Sequence, residues 1–465
     1  MAAGKGTRLK SKHPKVLHEI GGKPLLRWVI ETAAKIVPAQ DVYAIIGFEA
    51  NRVRQAMADT GCSFIVQEQQ HGTGHAIMVG EPALSKYDHI LVLSGDTPLI
   101  RQEVIERLRD FHLAQKSAMT LLTAEPENPH GYGRILRRKT RGKSMNEVLA
   151  IVEQKSLRPG QEKIPEINVG IYGFATKPLF TNIRKLRTAN AHGEYYLTDM
   201  AELLVKAKER VLALKEGAVA ETLGINTRAE LARLDARVRA AKVAELLDAG
   251  VTIYRPETCV IDSDVIIEAD TIVDPFVQVL GRSRIGADCR IQSGTIIVNC
   301  VIGAGTIVQP YCVLEDSRVD ENVRLGPFSH LRPGNEVSEG AHVGNFVELK
   351  KTKLGRGSKA NHLTYLGDSV IGERVNIGAG TITCNYDGVH KHQTVIEDGV
   401  FVGSDSTLVA PVKLGKGSYV GAASCITDDV PEDALALGRG RQINKLEWAR
   451  IKRDAIAAAK EASKK

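Results

Sequence analysis

From Ile261 onward the chain places an aliphatic residue at every sixth position: Ile261, Ile267, Val273, Val279, Ile285, Ile291 and Ile297. The register slips once and resumes at Ile302, Val308 and Leu314, then again at Leu325, Leu331, Val337, Val343 and Leu349. Ile396, Val402, Leu408, Leu414, Val420 and Ile426 finish the series. Glycine often follows the aliphatic, as at Ile285-Gly286, Ile302-Gly303, Ile371-Gly372 and Leu414-Gly415. A period of six held for about 165 residues fits neither a 3.6-residue helix nor a two-residue strand. It fits a coil with three flat faces, each turning one aliphatic inward, with glycines relieving the turns. One coil cannot bury its own core, so coils must stack. The period therefore predicts a parallel β-helix over 251–437. Its rhythm breaks at 385–393, a polar insertion expected to project as a loop and offer a binding surface. After Pro431 the repeat should end, and 443–460 reads as a helix opening a C-terminal helix and basic tail over 438–465.

Ahead of residue 250 a different rule holds. Short apolar runs at 42–46 and 90–93 read as strands, and 24–34 and 102–115 as helices. This alternation predicts an α/β domain with a mainly parallel sheet over 1–225. A stretch rich in Ala, Leu, Arg and Glu, stopped by Gly250, reads as a linker helix over 226–250. A chain of 465 residues suits two or three cores better than one. No run of about 18 apolar residues occurs, so no membrane span is expected. The opening residues lack the apolar stretch of a secretory signal, and seven cysteines without a regular framework suit reduced thiols in cytoplasm. The net charge of +7 suits small polyanions as well as nucleic acid. Without zinc-finger spacing or RNA-binding aromatic motifs, no nucleic-acid partner is expected.

Two constellations carry chemistry. Ala2-Ala3-Gly4-Lys5-Gly6-Thr7-Arg8 is a basic, glycine-rich turn whose amides can face phosphate oxygens. It is neither a Walker A loop nor a Rossmann fingerprint. Asp96 follows an apolar strand, where open α/β sheets bind ligands, although an Asp there can also be a simple cap. Between Leu331 and Tyr386 the β-helix turns polar and basic. Arg332 and Lys350 suit a phosphate monoester. His362 can titrate near neutrality and deprotonate an amine that attacks a thioester.

These stretches come with others: Pro14-Lys15-Val16-Leu17, Gln67, Gln70-His71-Gly72-Thr73-Gly74, Gly95-Asp96-Thr97-Pro98, Gly131-Tyr132-Gly133-Arg134, Glu153, Glu166-Ile167-Asn168 and Gly224-Ile225-Asn226. The set resembles the nucleotide-sugar pyrophosphorylases. Within them it is most similar to the bacterial bifunctional N-acetylglucosamine-1-phosphate uridylyltransferase and glucosamine-1-phosphate N-acetyltransferase family, along essentially the whole chain. That resemblance implies a Rossmann-like nucleotidyltransferase domain joined to a left-handed parallel β-helix of hexapeptide repeats. It implies that Gly4 and Gly6 hold UTP phosphates while Arg8 and Lys15 neutralise the reacting anions. Gln67, Gln70, Gly72 and Thr73 would recognise uracil and ribose, and Gly133, Glu153 and Asn168 the amino sugar. Asp96 and Asn226 would be the Mg2+ ligands, Asn226 also lying against substrate.

For the second site the resemblance implies glucosamine 1-phosphate held by Arg332, Lys350, Tyr365 and Asn376. His362 would be the general base, with Glu348 orienting or polarising it. Ala379, Asn385, Tyr386, Ser404, Ala422 and Arg439 would contact acetyl-CoA, Asn385 also steadying the oxyanion. It further implies a homotrimer with acetyl-transfer sites shared between subunits, and a product that feeds peptidoglycan and, where present, lipopolysaccharide.

The rival reading is a hexose-1-phosphate nucleotidyltransferase whose β-helix only regulates or assembles; a purely structural solenoid is the non-enzymatic one. A base between Arg332, Lys350 and Tyr365 has no purpose in either. One departure from the family pattern stands out. A short apolar strand usually precedes the glycine-rich turn, whereas here Met1 directly precedes Ala2. The expectation is an apolar strand upstream of this turn, and without it a less stable first domain with weak uridylyl transfer.

Overall fold

The computed structural model describes residues 1–138, 146–190, 193–217, 222 and 224–463. It divides into two units, Met1–Ala241 and Lys242–Lys465.

In the first unit a sheet runs in the order Val211–Lys215, Met119–Ala124, Ile167–Ala175, Arg134–Arg137, Val148–Val152, with His89–Val92 also paired to Ile167–Ala175. Only the first of these pairings is parallel; the others are antiparallel. The expected mainly parallel sheet is therefore corrected to a mixed one. A strand buried on both faces reads as a continuous apolar run whichever way it points, so its direction was hidden. Tyr43–Ile46 and Ser63–Val66 form a separate parallel pair. The helices Leu25–Ala34, Thr73–Leu84, Gln102–Ala114 and Met200–Lys206 turn their apolar stripes onto these strands.

Met1 and Ala2 lie between the ends of Tyr43–Ile46 and His89–Val92. The Met1 amine donates to Leu93 O at 2.7 Å, Ala2 N to Ile45 O at 2.8 Å, and Gly95 N to Met1 O at 2.9 Å. Burial pulls the amine's pKa down to about 6. Alongside Met1 is an apolar cavity of about 500 Å³ walled by Leu26, Val29, Ile45, Ile77 and Val92.

In the second unit the period of six becomes three faces of short parallel strands. One face stacks Ile266–Ile267, Arg284–Ile285 and Val301–Ile302 and continues to Val412–Leu414. The predicted aliphatics form a single buried core that also takes in Val243 and Leu246, from the last turns of the helix Arg228–Asp248. Buried hydroxyls tie successive coils together, as Thr271 Oγ1 does to Gly286 O at 2.8 Å and Ser358 Oγ to Gly372 O at 2.7 Å. Gly303 shows why its corner needs glycine, since a Cβ there would stand 2.6 Å from Glu321 N. The coil outlasts Pro431, because Leu435–Ala436 still pairs with Tyr419–Val420. The C-terminal helix is Trp448–Ala462, later than expected, with no buried residue. Lys464 and Lys465 lie outside the described residues.

Candidate active sites

The first site is built on the glycine-rich turn. Gly6 has a φ of +65°, and a Cβ there would stand 2.5 Å from Lys15 Cβ, so the turn lies flush against the Lys15 stem. That stem carries its ammonium to the Asp96 carboxylate in a hydrogen-bonded ion pair, and to Asn226 Oδ1 at 3.2 Å. Ser94 Oγ donates to Asp96 at 2.7 Å. Burial alone would raise the Asp96 pKa; the Lys15 charge and these bonds outweigh it and hold the carboxyl below its usual range. A capping box fixes Asn226. Glu230 Oε2 accepts from the Asn226 and Thr227 amides at 2.6 and 3.0 Å, while Glu230 N donates to Thr227 Oγ1 at 3.2 Å. Arg8 is exposed, and its charge reaches Tyr132, whose phenol burial, Glu230 and Asp96 push up.

Gln67 and the adjacent pair Gly72 and Thr73 come together in the structure. Buried Gln67 donates from Nε2 to Gly72 O at 3.1 Å and faces His75 Nδ1 at 3.0 Å, while Gln70 Nε2 donates to Gln67 O at 2.9 Å. Gly72 has a φ of +103° and leaves no room for a Cβ, which would meet Tyr195 O at 2.6 Å. Thr73 Oγ1 accepts from Leu197 N at 2.9 Å. Gly133, Glu153 and Asn168 form a third group: a Cβ on Gly133 would lie 3.6 Å from the Glu153 carboxylate, and Asn168 N donates to Gly133 O at 2.9 Å. Thr198 Oγ1 donates to Glu153 at 3.1 Å, and Asn168 Nδ2 to Tyr172 OH at 2.8 Å. The sequence reading gave no role to His75, Thr198 or Tyr172, each of which bonds one of the predicted residues.

The second site has two parts. In the first, Arg332 pairs with Glu348 at 3.0 Å, and Glu348 stands in strand register with Tyr365. Lys350 lies nearby with Lys391 beside it. The bond to Lys391, its charge and that of Arg332 hold the Lys350 ammonium below the ordinary lysine range, with Asp368 opposing. Three cations thus crowd one patch. Asn385 Nδ2 donates to Asp368 Oδ2 at 2.5 Å. Tyr386 is exposed in the projecting loop, which a hydrogen bond between His392 Nε2 and Asp387 Oδ2 at 2.7 Å braces.

In the second part, His362 Nδ1 faces Asn345 Oδ1 at 2.9 Å. The residue bonded to the imidazole is therefore Asn345, and the expected partner Glu348 is engaged with Arg332 instead. An acceptor at Nδ1 requires the proton there and leaves Nε2 with a free lone pair. His362, Ala379, Ser404 and Ala422 occupy the same corner of successive coils. Gly380 N donates to His362 O at 3.3 Å, Asp405 N to Ala379 O at 2.7 Å and Ala423 N to Ser404 O at 2.8 Å. Below His362 this corner carries stacked, exposed Tyr311, Phe328 and Phe346, then Leu363; above it stand Gly380, Asp405 and Ala423. Asn376 sits in strand register with Lys359 and Phe401, and among the described residues no bond joins it to His362. Arg439 is exposed just past Gly438, whose carbonyl accepts from Cys425 N at 3.0 Å.

Residues 1–161 match the MobA-like NTP transferase domain, and residues 264–299 match the bacterial transferase hexapeptide of six repeats. The proteins named bifunctional protein GlmU from Koribacter versatilis and Solibacter usitatus are 59% and 48% identical to this chain, each alignment covering 97% of it and 96% of the relative. The protein of the same name from Streptococcus mutans is 43% identical over 97% of each chain. Likeness at this level runs through both units and leaves the nucleotidyltransferase with a merely regulatory β-helix unsupported. The chain belongs to the bifunctional N-acetylglucosamine-1-phosphate uridylyltransferase and glucosamine-1-phosphate N-acetyltransferase family, with a Rossmann-like nucleotidyltransferase domain and a left-handed parallel β-helix.

Proposed function

We propose that the two sites act in succession on one sugar. Acetyl-CoA first acetylates glucosamine 1-phosphate, and UTP then converts the product to UDP-N-acetylglucosamine and pyrophosphate. The single observation that carries this reading is the pairing of two unlike chemistries in one chain: two oxygens converging on a cation beside a glycine-rich turn, and, on the β-helix, an imidazole bonded to Asn345 together with a patch of three cations.

In acetyl transfer Arg332, Lys350 and Lys391 bind the sugar phosphate. His362 Nε2 takes a proton from the sugar ammonium, and the freed amine attacks the thioester carbonyl. Asn385 donates to the oxyanion of the resulting adduct, which collapses by breaking the C–S bond, the extra proton on nitrogen passing to the departing thiolate to give the amide and the free thiol of coenzyme A. Tyr365, Tyr386 and Asn376 orient the sugar and the thioester. Ala379, Ser404 and Ala422 offer backbone along the corner above His362, and Arg439 supplies charge to the phosphates of coenzyme A.

In uridylyl transfer Gln67, Gly72 and Thr73 hold the uridine, and Gly133, Glu153 and Asn168 the sugar. Arg8 and Lys15 offset charge as a phosphate oxygen of the sugar attacks the α-phosphorus and pyrophosphate departs. Asp96 and Asn226 suit Mg2+, because their oxygens already converge on one cation, the Lys15 ammonium. Bound there, Mg2+ would neutralise triphosphate charge.

We also propose a cytoplasmic homotrimer whose acetyl-transfer site is completed by a neighbour. Beside His362, Leu363 and Phe346 are 64% and 55% exposed, and the helix Trp448–Ala462 buries nothing within its own chain. Among the described residues no helix is long and apolar enough to cross a membrane.

Separate assays of the two half-reactions test the reading. His362→Ala should lower acetyl transfer by about 10²- to 10⁴-fold and spare uridylyl transfer. Asp96→Ala should do the reverse. Equal losses of both activities in either variant, with folding intact, would refute the assignment.

A further inference from the structure

We infer that Lys15 is a resident cation of the nucleotidyl-transfer site, exchanged for the divalent metal as the site is loaded. The inference rests on the metal assignment above and adds to it an order of events. Lys15 Nζ is bonded to the Asp96 carboxylate and to Asn226 Oδ1, the two oxygens assigned to the metal. A dication bound by both would need to stand about 2.0–2.1 Å from each oxygen. The ammonium already fills the space between them, and two cations that close repel strongly at any dielectric. Lys15 must therefore leave Asp96 when the metal arrives.

Its destination is fixed by its stem. Glycine at position 6 lets the Lys15 side chain lie flush on the glycine-rich turn, with Cβ, Cδ and Cγ at 2.5, 3.1 and 3.2 Å from where a Gly6 Cβ would be. The stem stays against the turn when the ammonium swings, so the charge remains beside Gly4–Arg8, where the nucleotide phosphates are proposed to lie. Metal entry and delivery of Lys15 to the phosphates thus become one event. A site without nucleotide holds its metal weakly, because the displaced ammonium has no anion to receive it.

Mn2+ alone is the probe, its binding to nucleotide-free full-length protein read by electron paramagnetic resonance. Lys15→Met, which keeps the stem and removes the charge, should bind Mn2+ at least about tenfold more tightly than wild type. Lys15→Arg should stay near wild type. Mn2+ should also raise the melting temperature of Lys15→Met more than that of wild type, which checks that the variant is folded. Equal or weaker Mn2+ binding by folded Lys15→Met, in a protein whose site is abolished by Asp96→Ala, would overturn the exchange and leave the metal assignment standing. No Mn2+ bound by any form would overturn both.

Discussion

The imidazole of His362 depends on a partner that no motif announces. Asn345 reaches it because the two strands His342–Lys350 and Lys359–Gly367 pair in a register that sets Asn345 opposite His362. Along the sequence nothing local ties that Asn to a histidine one coil later. Lys391 was hidden for a related reason: it belongs to an irregular loop, where neither period nor motif predicts which way a side chain faces. Its contact with Lys350 makes it part of the cationic patch. Lys391→Ala should raise the KM for glucosamine 1-phosphate about tenfold, leave kcat nearly unchanged and leave uridylyl transfer alone. A lowered kcat at constant KM would place Lys391 outside phosphate binding. His362, Asp96 and Lys15 were singled out by contrast, because each lies in a stretch that carries the family resemblance.

At the scale of the element, the six-residue period gave the β-helix nearly whole, since one inward aliphatic per face is a local rule that stacking repeats. The first unit was less legible, because the direction of a doubly buried strand depends on connections and not on its own residues. Its helix Gln102–Ala114 also buries a group that hydropathy alone does not explain. His112 is 2% exposed, its Nδ1 facing Thr120 Oγ1 at 2.9 Å and Ser117 Oγ at 3.2 Å, its Nε2 facing His89 at 3.1 Å. Burial, and then the charge of His89, lower its pKa from 6.5 to about 4. A folded-state pKa below the unfolded one means that the unfolded chain binds the extra proton first. The stabilising contribution is therefore complete above pH 6.5 and is lost as pH falls toward 4, amounting to about 3 kcal/mol. Urea unfolding of the first unit should weaken across that window, and His112→Gln should flatten the slope. An unchanged slope in a folded variant would assign the acid sensitivity to other groups.

For the whole molecule, the separation of cores has a direct consequence. The core clusters of the first unit draw on residues between Ala2 and Val238, and that of the β-helix on residues between Val243 and Val430. Calorimetry should therefore show two transitions, and a chain limited to residues 242–465 should fold and retain acetyl transfer. A single cooperative transition, or an unfolded fragment, would show that the β-helix needs the first unit. Two incompatible periodicities set the change of pattern near residue 250, whereas the structure divides at Ala241, inside the helix read as a linker over 226–250. The cavity beside Met1 belongs to the first core alone, so whatever instability it brings should leave the β-helix untouched.

The corner that stacks His362, Ala379, Ser404 and Ala422 behaves as a graduated scale. Neighbouring strands of a sheet are about 4.8 Å apart, so each coil above the histidine is one division, and on the acetyl-CoA contacts proposed above the reach of the acyl donor is counted in whole coils. A coil can be gained or lost between His362 and Ser404 without exposing the core, because every coil presents the same inner surface to the next. The distance from the proposed base to the proposed donor contacts can therefore change only in steps, never gradually. Drift in this region would be either silent or abrupt, and a chain that kept its fold but gained one coil would be selecting a donor of a different length.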